Sequence, residues 1–439
     1  MSTYLLTCTP AHGHIAPLLT IARHLRGQGH RVRMLTSERY AQRVRDAGVE
    51  FLPLPAAADV DLDEPDAAFP ERVGLRGPAA LRFDMITLFL APGAAQLAAL
   101  RDALREVPTD AVLTEPLFVG SALLSELPRA ERPPVVVLGI FPLGVKSRDT
   151  APFGLGVLPR RGALGRARNA ALGVFAEKIV FGPVTRVADD LARREIGRPF
   201  SRFFLDWHGA ADIVVQFTVP EFEYPRSDLP ASVHFVGPLP ATAPLVGLPE
   251  WWSDLDGSRP VVHVTQGTIA NADLTQLIAP TLRALAEDDV TVVVSTGGRP
   301  VEDVGPIPAN ARVASYLPYD RLLPLVDVVV TNGGYGGVQQ ALAQGIPLVV
   351  AGQTEDKVEV CARVGWSGAG INLRTNTPDA SRIAGAVRTI LGGDAHRRRA
   401  GELAAAFSRA SALEGLDGIL RGLRGAAPAA ATAESAPIG

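Results

Sequence analysis

Residues 4–36 read YLLTCTPAHGHIAPLLTIARHLRGQGHRVRMLT, and this stretch decides the fold of the first half of the chain. Residues 4–9 form a short apolar run, which predicts a strand. Apolar residues at 15, 18, 19, 22 and 25 follow the helical period and predict a helix. A second apolar run, 31–36, follows Gly29. Strand, helix and strand in this order form a βαβ unit, whose crossover makes the two strands parallel.

The same alternation continues to about residue 235. Apolar runs at 111–113, 135–138 and 213–216 are separated by helical stretches such as 94–104. We therefore predict one α/β domain over residues 1–235, and a Pro-rich linker over residues 236–252.

A second series of strands and helices follows the linker. Its apolar strands lie at 261–264, 290–295, 326–331 and 348–351, and they predict a second α/β domain over residues 253–424 that includes a C-terminal helix. The Ala- and Pro-rich residues 425–439 have no periodicity and predict a disordered tail. Neither domain carries a dinucleotide-binding glycine fingerprint.

Composition excludes several classes of protein. The 439 residues are 47% hydrophobic and 20% charged, with a net charge of −3, so we expect packed cores and no binding of nucleic acid. Two cysteines, Cys8 and Cys361, are too few for a disulfide framework. The start has no cationic segment, and no apolar stretch reaches the ~20 residues that span a bilayer, so we expect a cytoplasmic protein without stable membrane insertion.

Two polar residues follow strands of the first domain. His14 lies in the loop after the first strand, where an imidazole could act as a general base, or could merely cap or pack against a helix. Glu115 follows the strand at 111–113 and could orient His14, or could be a solvated residue at the start of a loop.

The second domain contains a glycine-rich turn after its third strand. Asn332-Gly333-Gly334-Tyr335-Gly336-Gly337 leads into a helix, a pattern that predicts a phosphate cradle made of backbone N–H groups and a helix N-terminus. The alternative is a tight turn that needs glycine for steric reasons alone. Gly267 and Thr268 form a smaller turn of this kind after the first strand of this domain. Residues 354–357 form the turn after the fourth strand.

Acidic pairs that could bind a divalent metal occur at Asp59/Asp61, Asp61/Asp63 and Asp254/Asp256. None follows an apolar strand, so we predict solvated surface and no metal site.

Together, the segment His14-Ile15-Ala16-Pro17, Gly267-Thr268, and the block from Tyr316-Leu317-Pro318 through Asn332 to Asp356-Lys357 resemble the inverting glycosyltransferases of the family that includes macrolide and plant natural-product enzymes. The resemblance implies a GT-B fold, in which two Rossmann-like domains with parallel sheets face each other across a cleft. It also implies a metal-independent enzyme that needs no cofactor and takes a nucleoside-diphosphate sugar, UDP or TDP, as its co-substrate.

The resemblance further assigns roles to residues. His14 would deprotonate the acceptor hydroxyl and Glu115 would be its acidic partner, where the family usually has Asp. Asn332 stands where the family has a diphosphate-contacting His, Gln340 where many relatives have a ribose-binding Glu, and Lys357 where Gln is usual. The full set of implied donor contacts is Gly267, Thr268, Tyr316, Asn332, Gly333, Gly334, Tyr335, Gly336, Gly337, Gln340, Asp356 and Lys357.

A small hydrophobic acceptor would need an apolar pocket in the first domain. Aromatic and Met side chains that could supply it are Phe83, Met85, Phe89, Phe118 and Phe141, although each could equally belong to the core. Two other functions stay open from the residues alone: a nucleotide-sugar epimerase or hydrolase, and a non-catalytic protein that binds nucleotide sugars.

Overall fold

The computed structural model describes residues 1–62, 65–240, 246–268 and 271–425. Asp63, residues 241–245 of the predicted linker, and all but Gly425 of the predicted tail lie outside these ranges. The strands are β1 (Thr3–Thr7), β2 (Arg31–Thr36), β3 (Glu50–Pro53), β4 (Ala111–Thr114), β5 (Val135–Gly139), β6 (Ile213–Gln216), β7 (Val233–Phe235), β8 (Val261–Thr265), β9 (Thr291–Ser295), β10 (Ala311–Ala314), β11 (Val328–Thr331), β12 (Leu348–Val350) and β13 (Gly370–Asn372).

The strands form two parallel sheets, as the βαβ pattern predicts. Within the described residues the first sheet has seven strands in the order β3-β2-β1-β4-β5-β6-β7, and the second has six in the order β10-β9-β8-β11-β12-β13. In each sheet the strand order reverses beside the first strand of the domain. Ligands of open α/β sheets bind at such a switch point, outside the carboxyl ends of the strands.

Helices cover both faces of the sheets. They are α1 (His12–Gly27), α2 (Ala41–Asp46), α3 (Pro65–Ala68), α4 (Gly77–Phe83), α5 (Gly93–Glu106), α6 (Val119–Ser125), α7 (Gly162–Val174), α8 (Gly182–Ile196), α9 (Ile278–Leu285), α10 (Tyr319–Leu322), α11 (Tyr335–Ala343), α12 (Lys357–Ser367), α13 (Ala380–Leu391), α14 (Asp394–Ser408) and α15 (Ala412–Gly425), with π-helical stretches at Asp84–Leu90 and Phe175–Val180.

Each sheet separates two hydrophobic cores. Leu5 and Leu6 of β1 lie in different cores, and so do Val329 and Val330 of β11, because successive side chains of a strand point to opposite faces. All four side chains are buried. This two-sided burial explains why the strands read as continuous apolar runs in the sequence.

The C-terminal helix differs from the sequence prediction. Assigned to the second domain from its position in the chain, α15 instead packs against the first: Leu416 and Leu420 join the core that contains Leu6. The carboxylate of Asp417 in this helix accepts a hydrogen bond from Nε2 of His24 in α1, at 2.9 Å. The last helix therefore crosses back and ties the two domains together.

One helical stretch is more apolar than the sequence analysis allowed. From Gly77 to Glu106 the chain is helical throughout, and by length and composition this stretch could cross a membrane. Leu97 and Leu100 of α5 are nevertheless fully buried in the core of the first domain. A core helix of this kind passes the same test of length and composition.

Buried polar contacts join the domains beside the site. Arg363 in α12 pairs with Glu223 of the first domain, with Nη2 2.9 Å from Oε2. Glu359, one turn earlier on α12, accepts hydrogen bonds from the backbone N–H groups of Gly154 and Gly156, both at 2.9 Å. These contacts hold the start of α12 against the first domain.

Candidate active site between the two sheets

The predicted site residues lie after the strands that flank the switch point of each sheet. His14 follows β1 and Glu115 follows β4, which are neighbours in the first sheet. Gly267 follows β8 and Asn332 follows β11, which are neighbours in the second. Parallel pairing thus brings residues that are far apart in the chain to one edge of each sheet.

His14 and Glu115 meet in the first domain. Nδ1 of His14 lies 3.2 Å from Oε2 of Glu115, although the alignment is not that of a straight hydrogen bond. The carboxylate is fully buried, whereas the imidazole is 20% exposed. With Nδ1 turned toward Glu115, the other ring nitrogen, Nε2, is available to accept a proton from a ligand.

Glu115 is held by the loop after β1. Its Oε1 accepts hydrogen bonds from the backbone N–H of Thr9 at 3.1 Å and from the Thr9 hydroxyl. Oε2 accepts one from the N–H of Leu117 at 2.7 Å. The sequence analysis missed Thr9, although a hydroxyl residue at the end of the first strand signals such a role.

The pair perturbs both ionisation equilibria. Burial lowers the pKa of His14, but the Glu115 carboxylate outweighs it, with help from Asp356 and Glu355, so that the pKa of His14 is raised above its usual value. Burial raises the pKa of Glu115, and His14, Thr9 and Leu117 outweigh this effect, so that the pKa of Glu115 is lowered. Glu115 is therefore a stable carboxylate that favours the protonated imidazole.

In the second domain the glycine-rich turn runs from β11 into α11. Gly333 has a φ of +88°, and a Cβ at this position would collide with Sγ of Cys361. Gly334, Gly336 and Gly337 have ordinary dihedral angles, and a Cβ on any of them would meet nothing within 4 Å. Steric need therefore explains Gly333 alone, and the other three leave open space at the N-terminus of α11.

The loop after β8 is built in a similar way. Gly267 has a φ of +72°, and its N–H donates to the Thr265 hydroxyl at 3.1 Å. Asn271 ties this loop to the one after β9 by donating to the carbonyls of Gly267 and Thr296 at 3.1 and 2.9 Å. Thr268 is the last described residue of the segment, and its side chain has no described role.

A small cavity lies between these loops. Its polar lining includes the amides of Gln266, Asn332 and Asn376, together with Thr354 and Lys357. The Asn332 amide donates to the carbonyl of Gln266 at 2.5 Å. Gln266, Thr354 and Asn376 were not among the predicted donor contacts.

Asp356 and Lys357 mark the start of α12. Asp356 is close enough to His14 that its carboxylate raises the pKa of the imidazole. Burial raises the pKa of Asp356 itself, against the opposing effects of Lys357 and His14. The carboxylate of the second domain and the imidazole of the first thus influence each other electrostatically.

Three further donor predictions differ in their surroundings. Tyr316 is 45% exposed beside Gly298, where a Cβ would collide with the tyrosine hydroxyl. Gln340 is half-buried on α11. Tyr335 does not fit a side-chain contact to the donor, because its ring is buried in the core and its hydroxyl lies 3.3 Å from Nε2 of Gln216.

The aromatic residues predicted for the acceptor separate into three groups. Phe118 is fully buried in the core of the first domain, so its assignment to an acceptor pocket is wrong for this structure. Phe141 lies beside His14, and the centroids of the two rings are 6.4 Å apart. Partly buried side chains of the α4 region make up the third group: Phe83, Met85 and Phe89.

The neighbour of Phe141 was missed. Phe153 lies 6.1 Å from Phe141, ring centroid to ring centroid, and is only half-buried. It comes from the long segment between β5 and α7, where no periodicity points to a site.

Two family models match the chain. The glycosyltransferase family 28 N-terminal domain matches residues 5–105, and the Erythromycin biosynthesis protein CIII-like C-terminal domain matches residues 279–412. Among curated relatives, 4'-demethylrebeccamycin synthase of Lentzea aerocolonigenes is 40% identical, covering 95% of this chain and 99% of the relative. UDP-glucosyltransferase 1 of Beauveria bassiana (strain ARSEF 2860) is 36% identical, covering 93% and 92%.

Solved structures agree on the fold. The crystal structure of the glycotransferase of kitacinnamycin has a TM-score of 0.72 at 20% identity, and the match covers 96% of this chain and 98% of that one. The shared architecture of two parallel-sheet domains confirms the predicted GT-B fold. Since relatives at 40% and 36% identity span nearly the whole chain, the protein is a glycosyltransferase and belongs to the GT-B family of natural-product biosynthesis.

Proposed function

We propose that the enzyme transfers a sugar from a UDP-sugar or TDP-sugar to a hydroxyl group of a small hydrophobic natural product, with inversion at the anomeric carbon. The observation that carries this proposal is the His14–Glu115 pair, 3.2 Å apart, whose imidazole also feels the Asp356 carboxylate of the second domain. A base on one side of the cleft and an anion cradle on the other are the two parts that such a transfer needs.

His14 acts as the general base. The acceptor hydroxyl gives its proton to Nε2 as its oxygen forms a bond to the anomeric carbon, and the buried Glu115 carboxylate stabilises the imidazolium that results. Attack from the face opposite the leaving group inverts the configuration. Positioning both substrates in one cleft supplies a further part of the rate enhancement.

The leaving group departs into the second domain. As the bond from the anomeric carbon to the diphosphate oxygen breaks, the electron pair goes to that oxygen. The first-turn N–H groups of α11 and the open space over Gly334, Gly336 and Gly337 suit this developing charge, and the mechanism needs no metal. Tyr316 would stack on the base of the nucleotide, and Asp356 would bind hydroxyls of the sugar.

The apolar half of the cleft takes the acceptor. Phe141 lies next to His14 and Phe153 next to Phe141, so an aromatic or macrocyclic ring on these side chains would place a hydroxyl near Nε2. Phe83, Met85 and Phe89 remain candidates for its outer part. Cytoplasmic localisation fits a nucleotide-sugar donor and stays part of the proposal.

The test is product formation from UDP- and TDP-hexoses with a panel of phenolic, indolocarbazole and macrolide acceptors. A new glycoside of inverted anomeric configuration, detected by mass spectrometry and assigned by NMR, is the expected result. Incubation without acceptor is the control: an altered nucleotide sugar would indicate an epimerase and rapid release of free sugar a hydrolase. Nucleotide binding without any turnover would point to a non-catalytic protein.

A further inference from the structure

The charge of the donor cavity is concentrated in one side chain. Of the described residues that line this cavity, Lys357 alone has an amine side chain, and the others are apolar, amide or hydroxyl residues. A diphosphate carries negative charge that increases as the sugar leaves. Neutral hydrogen-bond donors solvate such a group less well than a cation does.

Lys357 is buried next to the glycine-rich turn. Its residue is only 7% exposed, and it begins α12. A Cβ at Gly352 would collide with the carbonyl oxygen of Asn332 and would lie 2.9 Å from Cβ of Lys357. The side-chain stem of Lys357 and the backbone of Asn332 therefore both pack against Gly352. The Lys357 side chain thus begins next to the glycine-rich turn.

The ammonium is paired with a solvent-exposed carboxylate. Nζ of Lys357 forms an ion pair with Oε2 of Glu355, whose side chain is 61% exposed. Glu355 has a φ of +53°, a conformation that L-residues other than Asn and Asp rarely adopt. The partner of the buried Lys357 ammonium is thus the exposed Glu355 carboxylate, on a strained backbone. Water can solvate this carboxylate when the ion pair breaks.

We propose that Lys357 is the cation that binds the diphosphate of the nucleotide sugar, and that the diphosphate exchanges for the Glu355 carboxylate. This inference rests on the proposed function. Residue 332 contributes no charge, because its amide donates to the Gln266 carbonyl at 2.5 Å. In the resemblance Lys357 stands where Gln is usual, and in the structure its Cβ lies beside Gly352, next to the backbone of Asn332.

The exchange also serves the chemical step. Lys357 keeps its three protons, and the electron pair of the breaking bond stays on the diphosphate oxygen, so the ammonium stabilises charge without transferring a proton. Among the described residues, the ionisable groups that interact with Lys357 include Glu355, Asp356 and Cys361. Binding of the diphosphate adds its negative charge to this set of side chains. The positive charge of the Lys357 ammonium is therefore needed to offset it.

Calorimetric titration with UDP, TDP and uridine tests the assignment. We expect Lys357→Met to weaken binding of the two diphosphates about 10- to 100-fold, the cost of a lost hydrogen bond to a charged group, and to leave uridine binding unchanged. Lys357→Arg should retain most of the affinity, and Glu355→Gln, which removes the competing carboxylate, should tighten UDP binding. Lys178→Met, at an exposed position of the Phe175–Val180 stretch, is the matched control.

A charge-relocation variant separates a phosphate contact from a structural role. Lys357→Gln should bind UDP weakly from pH 5.5 to 8, whereas Asn332→His/Lys357→Gln should regain affinity as the pH falls and the new imidazole is protonated. Equal affinity of wild type and Lys357→Met for UDP, or an equal loss for uridine, would overturn the inference. If the wild-type enzyme binds neither UDP nor TDP, the proposed function fails instead.

Discussion

The two sheet edges that form the cleft differ in the chemical groups that they present, side chains in one and backbone in the other. In the first domain, chemistry comes from side chains, because an imidazole and a buried carboxylate meet after β1 and β4. In the second, it comes mostly from the backbone, where Gly267 and Gly333 turn the chain at positive φ and their N–H groups donate to the hydroxyls of Thr265 and Thr331. Substitutions should therefore change proton transfer on one side and loop conformation or nucleotide affinity on the other.

The largest expected effect belongs to His14. His14→Ala removes the general base, so kcat should fall ~10²- to 10⁴-fold while the affinity for UDP or TDP, measured by calorimetry, stays within twofold. His12→Ala is the matched control: this imidazole lies in the same helical turn, with Nδ1 3.4 Å from Arg43, and should leave kcat nearly unchanged. An unaltered turnover number for His14→Ala would remove His14 from the mechanism.

A smaller loss of rate and a shift in pH dependence should follow from Glu115→Gln. The base must be neutral to accept a proton, and Glu115 is the main cause of the raised pKa of His14. Without the carboxylate, burial lowers that pKa, so the acid limb of the kcat profile should move to lower pH, with kcat reduced less than in His14→Ala.

The amide of this variant also faces backbone donors, so thermal unfolding should show a cost of ~1–3 kcal/mol. Glu126→Gln is its control, since Glu126 is equally buried but pairs with Arg198 away from the cleft. An acid limb that stays in place, or that moves to higher pH, would contradict the electrostatic role of Glu115.

On the backbone side, two glycines of the same turn should respond differently. Gly333→Ala forces an L-residue to a φ of +88° and against Cys361, and should lower the free energy of unfolding by ~1–3 kcal/mol and weaken UDP binding. Gly336→Ala adds a methyl group to open space within α11 and should leave unfolding unchanged or slightly stabilised. Equal unfolding midpoints for the two variants would contradict the steric account.

The smallest expected effect is that of a chelator. Because backbone groups and Lys357 stabilise the leaving diphosphate in the proposed mechanism, the rate of transfer in excess EDTA should equal the untreated rate. Two described members of the acidic pairs form ion pairs with arginine: Asp61 with Arg39, and Asp254 with Arg312. Loss of activity in EDTA that Mg²⁺ or Mn²⁺ restores would return a metal to the mechanism.

Much of the site could be predicted from local sequence. His14, Glu115, Gly267 and Asn332 each follow an apolar run, and the end of a parallel strand is where α/β proteins bind ligands. Prediction failed where burial decides the role. Phe118 and Phe141 both follow a strand at similar distance, yet one is fully buried in the core and the other lies beside His14. Aromatic residues serve both purposes, so composition does not separate them.

The sequence by itself determined what is local: the alternation of strands and helices, the parallel connections, and the glycines that let the chain turn at positive φ. Periodicity and dihedral freedom are properties of a few neighbouring residues. The tertiary structure alone decided the pairing of β1 with β4, which closes the 3.2 Å contact of His14 with Glu115, and the return of α15 to the first domain. It also placed Lys357 beside Asn332, since contacts between distant segments depend on which strands and helices pack together.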